Sequence, residues 1–384
     1  MPAAWGQATR SSTGASVLQS VHTLDPEVSG GLGDALSSFY ASLRQLSQNA
    51  SDPSLRQAAV GSARSLAMAF NRTRQELEDA RSGTDARIAA DVSEVNDLAR
   101  SVASLNAQVR AGRASGAEPN DLLDARQKAV DRLAELTGAT PVTTSEGDQS
   151  VFLAGGAALV TGVHASTLTA TADITNGGHL ALAVVNGTVT QAVSPGGDIG
   201  GLLDARDGAL RDAVTSVDQL AWDLAGALNA VHQGGQGLDG STGNALFDRG
   251  AAVAGAAGRL VVSAAVLADS RALATAAVGG GSGDARNALL LVGTEATALT
   301  GGLDAGASLS QLTAAFGSAT RTLQASADAD ASMKENLQAM RESTSGVSID
   351  EELIEMQKAQ RAYQAISKVI QTSSDMFDTL LQLK

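Results

Sequence analysis

The stretch that decides the fold is DARIAADVSEVNDLARSVASLNAQVRAGR, residues 85–113. Its apolar residues repeat at intervals of seven, with a second set three places later: Ile88, Val95, Val102 and Val109, then Leu98 and Leu105. This spacing forms an apolar seam along one side of an α-helix. It predicts a long helix that packs along its length against other helices.

Helical spacing continues on both sides of this stretch. Toward the N-terminus, Ser51-Asp52-Pro53 marks the start of a new helix. Toward the C-terminus, Asn120 begins a helix that stops at Gly138. Residues 1–30 are rich in Ser, Gly and Thr with little periodicity. We interpret them as a loose N-terminal lead-in.

Between residues 140 and 195 the apolar period changes to two. Leu168, Ala170, Ala172 and Ile174 alternate with polar residues, and Asn-Gly turns follow at 176–177 and 186–187. Such alternation between turns is typical of short β-strands. A second β-like run, GRLVVSAAVLA, covers residues 258–268.

The pentapeptide LLDAR occurs twice, at residues 122–126 and 202–206. Each copy lies where the chain returns to helical spacing, the first after a turn and the second after the β-rich stretch. The similarity between the copies fades soon after the pentapeptide. Two convergent helix starts therefore explain the repeat better than a duplication does.

These patterns predict a mainly α fold with an inserted β module: a long helical bundle or coiled-coil rod plus a small β-rich domain. The predicted segments, in order, are the lead-in 1–30, the first part of the rod 31–138, the β-rich insertion 139–200, the return helix 201–235, a turn and β-rich segment 236–275, the last part of the rod 276–345 and a C-terminal coiled-coil helix 346–384.

Composition excludes several kinds of function. The net charge is -14 and the isoelectric point is about 4.7, so a nucleic acid or an anionic membrane surface is disfavoured as a partner. No apolar run is long enough to cross a bilayer, and the first twenty residues lack the pattern of a cleaved signal peptide. The absence of cysteine excludes disulfides and thiolate sites.

No catalytic arrangement is visible. GGGSGDAR from Gly279 lacks the ending of a phosphate loop, and GLDGSTGNALFD lacks the ligand spacing of a calcium loop, so both are interpreted as turns. The four histidines show no metal-binding spacing and no nucleophile pattern. The sequence therefore predicts a protein that is not an enzyme and has no cofactor or metal.

The last 37 residues, SIDEELIEMQKAQRAYQAISKVIQTSSDMFDTLLQLK, begin with a Ser-x-x-Glu capping box at Ser348 and Glu351. Apolar residues then repeat every seven positions to the end. One interpretation is that this stripe packs on the chain's own helices. We favour an exposed seam that binds another helix, because apolar residues become denser at the terminus. The predicted partner surface comprises Ile349, Leu353, Met356, Tyr363, Ile366, Ile370, Phe377, Leu380 and Leu383.

The C-terminal stretch from Arg341 to Leu383 resembles the flagellar hook-associated protein 1 (FlgK) family. It has that family's Ser-Gly-Val-Ser turn, acidic helix start and Gln-x-x-Tyr-Gln-Ala core. PNDLLDARQKAVDRLAEL, LNAVHQGGQGLDG and ADSRALATAAVGGGSGDARNALLL are similar to other parts of the family. Residues 1–34 depart from it, because the family's usual N-terminal helix segment is not found there.

The resemblance implies a structural component of the bacterial flagellum at the hook–filament junction. It further implies extracellular localisation after export by the flagellar secretion apparatus, and no membrane insertion. The implied partners are other copies of the chain, the hook protein, the next junction protein of the flagellar axis, and an export chaperone on the C-terminal helix. The alternative is a soluble helical secreted adaptor, or chaperone-bound protein, that does not polymerise. A hydrolase with a helical accessory region is a third possibility, but it requires clustered titratable groups.

Overall fold

A computed structural model describes residues 2–24, 30–116, 119–345 and 349–382. The chain divides into two compact units, Met1–Asp330 and Ala331–Lys384. In the order of the chain, the first unit begins with α1 (Pro2–Gln19), α2 (Leu32–Gln48), α3 (Pro53–Ala114) and α4 (Asn120–Thr137).

Helix α3 is the longest element of the first unit, with 62 residues and a length of about 93 Å. It begins where the sequence indicates: the Asp52 carboxylate accepts hydrogen bonds from the backbone N–H groups of Ser54 and Leu55, at 2.7 and 3.2 Å. The four seam residues at 88, 95, 102 and 109 are all buried. Helices α2 and α4 pack against α3.

The interpretation of residues 1–30 as a loose lead-in is wrong for residues 2–19, which form α1. This helix packs through small residues, so it has no apolar stripe to detect. A Cβ atom on Gly201 would come within 2.3 Å of the backbone oxygen of Arg10, and one on Gly6 within 2.8 Å of the Ala134 oxygen. Backbones that approach so closely need glycine at the contact. Leu18, near the end of α1, is buried.

Two small antiparallel sheets follow α4. The first contains β1 (Thr140–Thr143), β2 (Gln149–Phe152), β3 (Ala158–Thr161) and β4 (His164–Ala165); the second contains β5 (Thr167–Ala172), β6 (Leu180–Asn186) and β7 (Val189–Ala192). Leu168 faces the core opposite Val184, as the alternation predicts. Ile174 does not continue the strand. It lies in a short 3-10 turn and is 92% exposed.

The chain then returns to the helices through α5 (Gly197–Ala205), a π-helical turn at Arg206–Leu210, and α6 (Arg211–Gln233). The next segment holds only two-residue strands, β8 (Gly235–Gln236), β9 (Phe247–Asp248), β10 (Val261–Val262) and β11 (Ala276–Ala277), with the short helices α7 (Ala256–Arg259) and α8 (Ala264–Ala268). The first unit is completed by α9 (Arg286–Gly293) and the start of α10 (Ala305–Ser345), and α11 (Ile349–Gln382) lies in the second.

The β-like run predicted for residues 258–268 is therefore wrong except at β10, because residues 258–259 belong to α7 and Ala264–Ala268 forms α8. Strand β10 pairs only with β9, and β9 ends after Asp248. Gly250 then takes a positive φ of 75° and turns the chain away. Without a partner strand, Ala264–Ala268 forms a helical turn instead. The mainly α fold with a small β module is confirmed, and the segment boundaries given above stay predictions.

Candidate assembly surface

The second unit carries an exposed apolar ridge on α11. Every described side chain from 353 to 376 is exposed. We define the α11 ridge by five residues whose exposed fractions lie between 46% and 74%: Leu353, Met356, Tyr363, Ile366 and Ile370. Large apolar side chains that are exposed along the length of one helix mark an interaction site. A repeat of seven also fits packing against another helix.

The other predicted partner residues lie at the edges of what the structure describes. The side chains of Ile349, Phe377 and Leu380 lie outside the described residues, and so does Leu383 as a whole. Ile354, Val369 and Met376 are also exposed, at 52%, 68% and 64%. Ile354 is absent from the predicted surface; at about 100° per residue it lies about 160° around the helix from Met356, so it is not part of the α11 ridge.

A line of polar side chains on α3 holds the two sheets. We call Asp85, Asn96 and Asn106 the α3 polar line; they are 11 and 10 residues apart, about three helical turns each. Asn96 exchanges two hydrogen bonds with the backbone of Leu168 in β5, at 2.8 and 2.9 Å. The Asn106 amide donates to the carbonyl oxygens of Gln149 and Gly162 and accepts from the Gln149 N–H.

The LLDAR repeat is explained by this line. Arg126, the last residue of the first copy, donates to Asn106 at 2.9 Å, and Arg206, the last residue of the second, donates to Asp85. Both guanidinium groups are buried. Asp85 in turn accepts from the Leu180 N–H in β6 and contacts His179. Each copy thus fixes one member of the α3 polar line, and that member holds one sheet.

A pair of carboxyl groups joins α1, α3 and α5. Asp91 of α3 lies beside Asp198 of α5, which accepts a hydrogen bond from Thr13 of α1. Burial raises the pKa of Asp91 to about 7, and the neighbouring Asp198 carboxylate adds to the effect, opposed by Arg87. The neutral form of Asp91 therefore stabilises this junction of three helices.

We expect the contribution of Asp91 to stability to be lost as the pH rises from about 4 to about 7. The folded pKa of Asp91 is above its unfolded value, so the favourable contribution is complete below the unfolded pKa and lost as the pH passes the folded one. Asp91→Asn should keep the neutral hydrogen bond and flatten this dependence, whereas Asp97→Asn, on an exposed side chain, should not. Urea midpoints at pH 5 and pH 8 check this; equal pH dependence in the two variants would contradict it.

The residues considered for chemistry are structural. His232 is fully buried, accepts from the Ala274 N–H at 2.9 Å and contacts the Asn244 oxygen at 2.6 Å, and burial lowers its pKa. Asp284 caps a turn by accepting from the N–H groups of Ala277 and Arg286. Asp239 does the same for Ser241. Across the described ranges, no group of three or more His, Cys, Asp or Glu is placed to hold a metal ion.

A comparison with protein families decides the relationship. The model described as "Flagellar hook-associated protein FlgK helical domain" matches residues 18–247, more than half of the chain. The chain belongs to the FlgK family. A second model, "Flagellar basal body rod FlgEFG protein C-terminal", matches residues 337–383, which contain the whole α11 ridge.

Individual FlgK relatives agree with this assignment. Flagellar hook-associated protein 1 of Salmonella typhimurium is 32% identical over 243 residues, covering 62% of this chain and 44% of that protein. The Bacillus subtilis protein of the same name is 24% identical over 388 residues, covering 91% of this chain and 76% of its own length. A solved structure, "The structure of the flagellar hook junction protein FlgK from Burkholderia pseudomallei", matches with a TM-score of 0.60 and 30% identity, over 65% of this chain and 46% of that one.

The matched part is shorter than the FlgK proteins themselves. The chain spans less than half the length of the Salmonella typhimurium and Escherichia coli relatives, at 44% and 41%. The FlgK helical-domain match covers α2 to α6 and both sheets, so it includes the α3 polar line and both LLDAR copies. In the part of the chain that is described, no helix combines the length and apolar character that crossing a membrane requires.

Proposed function

We propose that this chain is a structural component of the bacterial flagellum at the junction of hook and filament, and that it assembles through its helical rod and the coiled-coil packing of α11. FlgK family membership and the printed description of the Burkholderia pseudomallei relative as a hook junction protein support this proposal. The observation that carries it is the α11 ridge. Covering this surface with a second helix is favourable, because it removes apolar side chains from water.

The proposal includes the partners and the location. The chain associates with other copies of itself, with the hook protein and with the next junction protein of the flagellar axis. It is exported by the flagellar secretion apparatus and works outside the cell. An export chaperone covers α11 before assembly, because the α11 ridge needs shielding from water until it meets its partner. The chain has no catalytic role, cofactor or metal in this account.

Replacing two ridge residues by glutamate should strongly weaken the self-association of the chain. Each large apolar side chain contributes about 1.5 to 3 kcal/mol when buried, so Tyr363→Glu with Ile370→Glu should weaken self-association at least about 100-fold. Gln357→Glu with Thr372→Glu adds the same charge to exposed positions on the side of the helix away from the ridge and should associate like the unmodified chain. Sedimentation velocity over a wide concentration range measures this.

Two outcomes would count against the assembly function. If the unmodified chain stays monomeric at the highest concentration, the adaptor that does not polymerise becomes the better description. If the Tyr363 and Ile370 variant associates as strongly as the Gln357 and Thr372 variant, association does not use the α11 ridge. Circular dichroism of all three proteins at low concentration shows whether the helices are retained.

A further inference from the structure

The first unit contains a groove that matches the α11 ridge. It lies between α6 and α10 and has a volume of about 480 Å³. One wall runs from Ala209 in the π-helical turn to Asp223 in α6, the other consists of α10 residues from Ser308 to Ala319, and Leu299 and Thr300 complete the lining. Leu220, Leu312 and Phe316 form its apolar floor. We call it the α6–α10 groove. A long apolar groove between two helices is the shape that receives a third, amphipathic helix.

The charged residues of the groove are all on one wall. Asp212 and Asp223 on α6 are the charged side chains that line it, and Asp212 is largely exposed. The α10 wall presents uncharged residues such as Ser308 and Gln311. A helix that fits this groove therefore needs basic residues along one border of its apolar side and uncharged polar residues along the other.

The middle of α11 has this distribution. From Met356 to Ser374 it contains three basic residues and no acidic one. At about 100° per residue, the polar half of the helix divides into a basic sector and a glutamine sector. The basic sector, with Lys358, Arg361 and Lys368, adjoins the Val369 border of the apolar side. The glutamine sector, with Gln360, Gln364 and Gln371, adjoins the Tyr363 border.

The lengths also agree. The wall formed by the π-helical turn and α6 runs from Ala209 to Asp223, and the part of the ridge after Leu353 runs from Met356 to Ile370, so each covers 14 residue steps, about 21 Å. We propose that the α6–α10 groove of one copy binds the Met356–Ser374 segment of α11 from a second copy. The proposal deepens the assembly function above and rests on it. Because the two surfaces differ, each docked pair leaves one groove and one α11 free, which gives the head-to-tail growth of a ring or helical assembly.

The chain contains no cysteine, so cross-linking between single introduced cysteines can be assigned to this contact without interference from native thiols. Ser216→Cys places a thiol on the groove wall and Ser367→Cys places one beside the ridge; both positions are exposed. The two variants, one carrying a tag that changes its mass, are mixed at an associating concentration and treated with a short bismaleimide. We expect the mixed dimer, which joins the groove thiol of one variant to the ridge thiol of the other, to exceed both symmetric dimers at least about tenfold. Asp212→Lys with Asp223→Lys in the groove copy should reduce it at least about fivefold at low salt.

The outcomes separate this inference from the assembly function. Dominant symmetric dimers of the Ser367→Cys variant would show that ridge binds ridge and would overturn the groove assignment while leaving assembly intact. Association in sedimentation without a mixed dimer would overturn it as well. Absence of association in the unmodified chain would overturn both. A charge reversal tests the pairing directly. The copy with the lysine-substituted groove is mixed with an α11 copy that carries Lys358→Glu and Arg361→Glu, and recovery of the mixed dimer would support the charge pairing.

Discussion

Replacing Arg206 with alanine is expected to lower the free energy of unfolding by about 3 kcal/mol, because it removes a buried cation and leaves two half-buried carboxylates without their partner. The guanidinium group is 2% exposed and donates to Asp85 and, at 2.6 and 2.9 Å, to Asp207. Burial alone would raise the pKa of Asp207, but the hydrogen bonds from Arg206 and Asn176 hold it below its usual value. The lowered pKa of Asp207 therefore depends on this arginine.

The matched control is Arg211→Ala, five positions later. Arg211 is exposed and only 3.5 Å from Asp212, so its loss should change the free energy of unfolding by less than about 0.5 kcal/mol. Urea unfolding of the full chain, followed by circular dichroism, compares the two variants. A difference between them of less than about 1 kcal/mol would contradict the structural role assigned to the second LLDAR copy. Arg206→Lys should recover only part of the loss, since an ammonium cannot reproduce the forked geometry.

Asn106→Ala should lower the free energy of unfolding by about 3 kcal/mol, because it leaves several polar groups without a hydrogen-bond partner at once. The Asn106 side chain is fully buried and hydrogen-bonds to the carbonyl oxygens of Gln149 and Gly162, to the Gln149 N–H and to Arg126. Alanine favours the helix slightly, so the loss comes from the hydrogen bonds and the cavity. The same urea experiment measures it.

Gln108→Ala is the control for this change, since Gln108 is exposed on the same helix and its side chain hydrogen-bonds to the exposed Ser104. It should leave the unfolding midpoint nearly unchanged. The Asn106 effect should also appear locally: amide exchange in Gln149–Phe152 should become faster than in Pro53–Ala69 of the same variant. Uniform exchange with an unchanged midpoint would show that the sheet does not depend on the α3 polar line.

The long helices could be predicted from the sequence because the patterns that indicate them are local. The seam at Ile88, Val95, Val102 and Val109 depends only on spacing along one helix, and all four residues are buried. The α11 ridge was found for the same reason. Helix α1 was missed because its close contacts use glycine, which leaves no apolar period to read.

The remaining features depend on contacts between distant parts of the chain. The two LLDAR copies were visible, but their role requires Asp85, which is 121 residues from Arg206. The end of the strand at Val262 is set by the shortness of its partner at Phe247–Asp248. The α6–α10 groove is formed by helices about ninety residues apart. No local pattern in the sequence contains that information.

The central claim is that the α11 ridge is buried against another subunit when the chain assembles. Hydrogen exchange of residues 353–376, measured at a concentration where the chain is monomeric and at one where it associates, tests this most directly. An uncovered helix opens easily and exchanges fast, whereas a packed one is protected. The account predicts that exchange in 353–376 slows at least about tenfold on association while Pro53–Ala69 is unchanged. Association with unaltered exchange in 353–376 would contradict it.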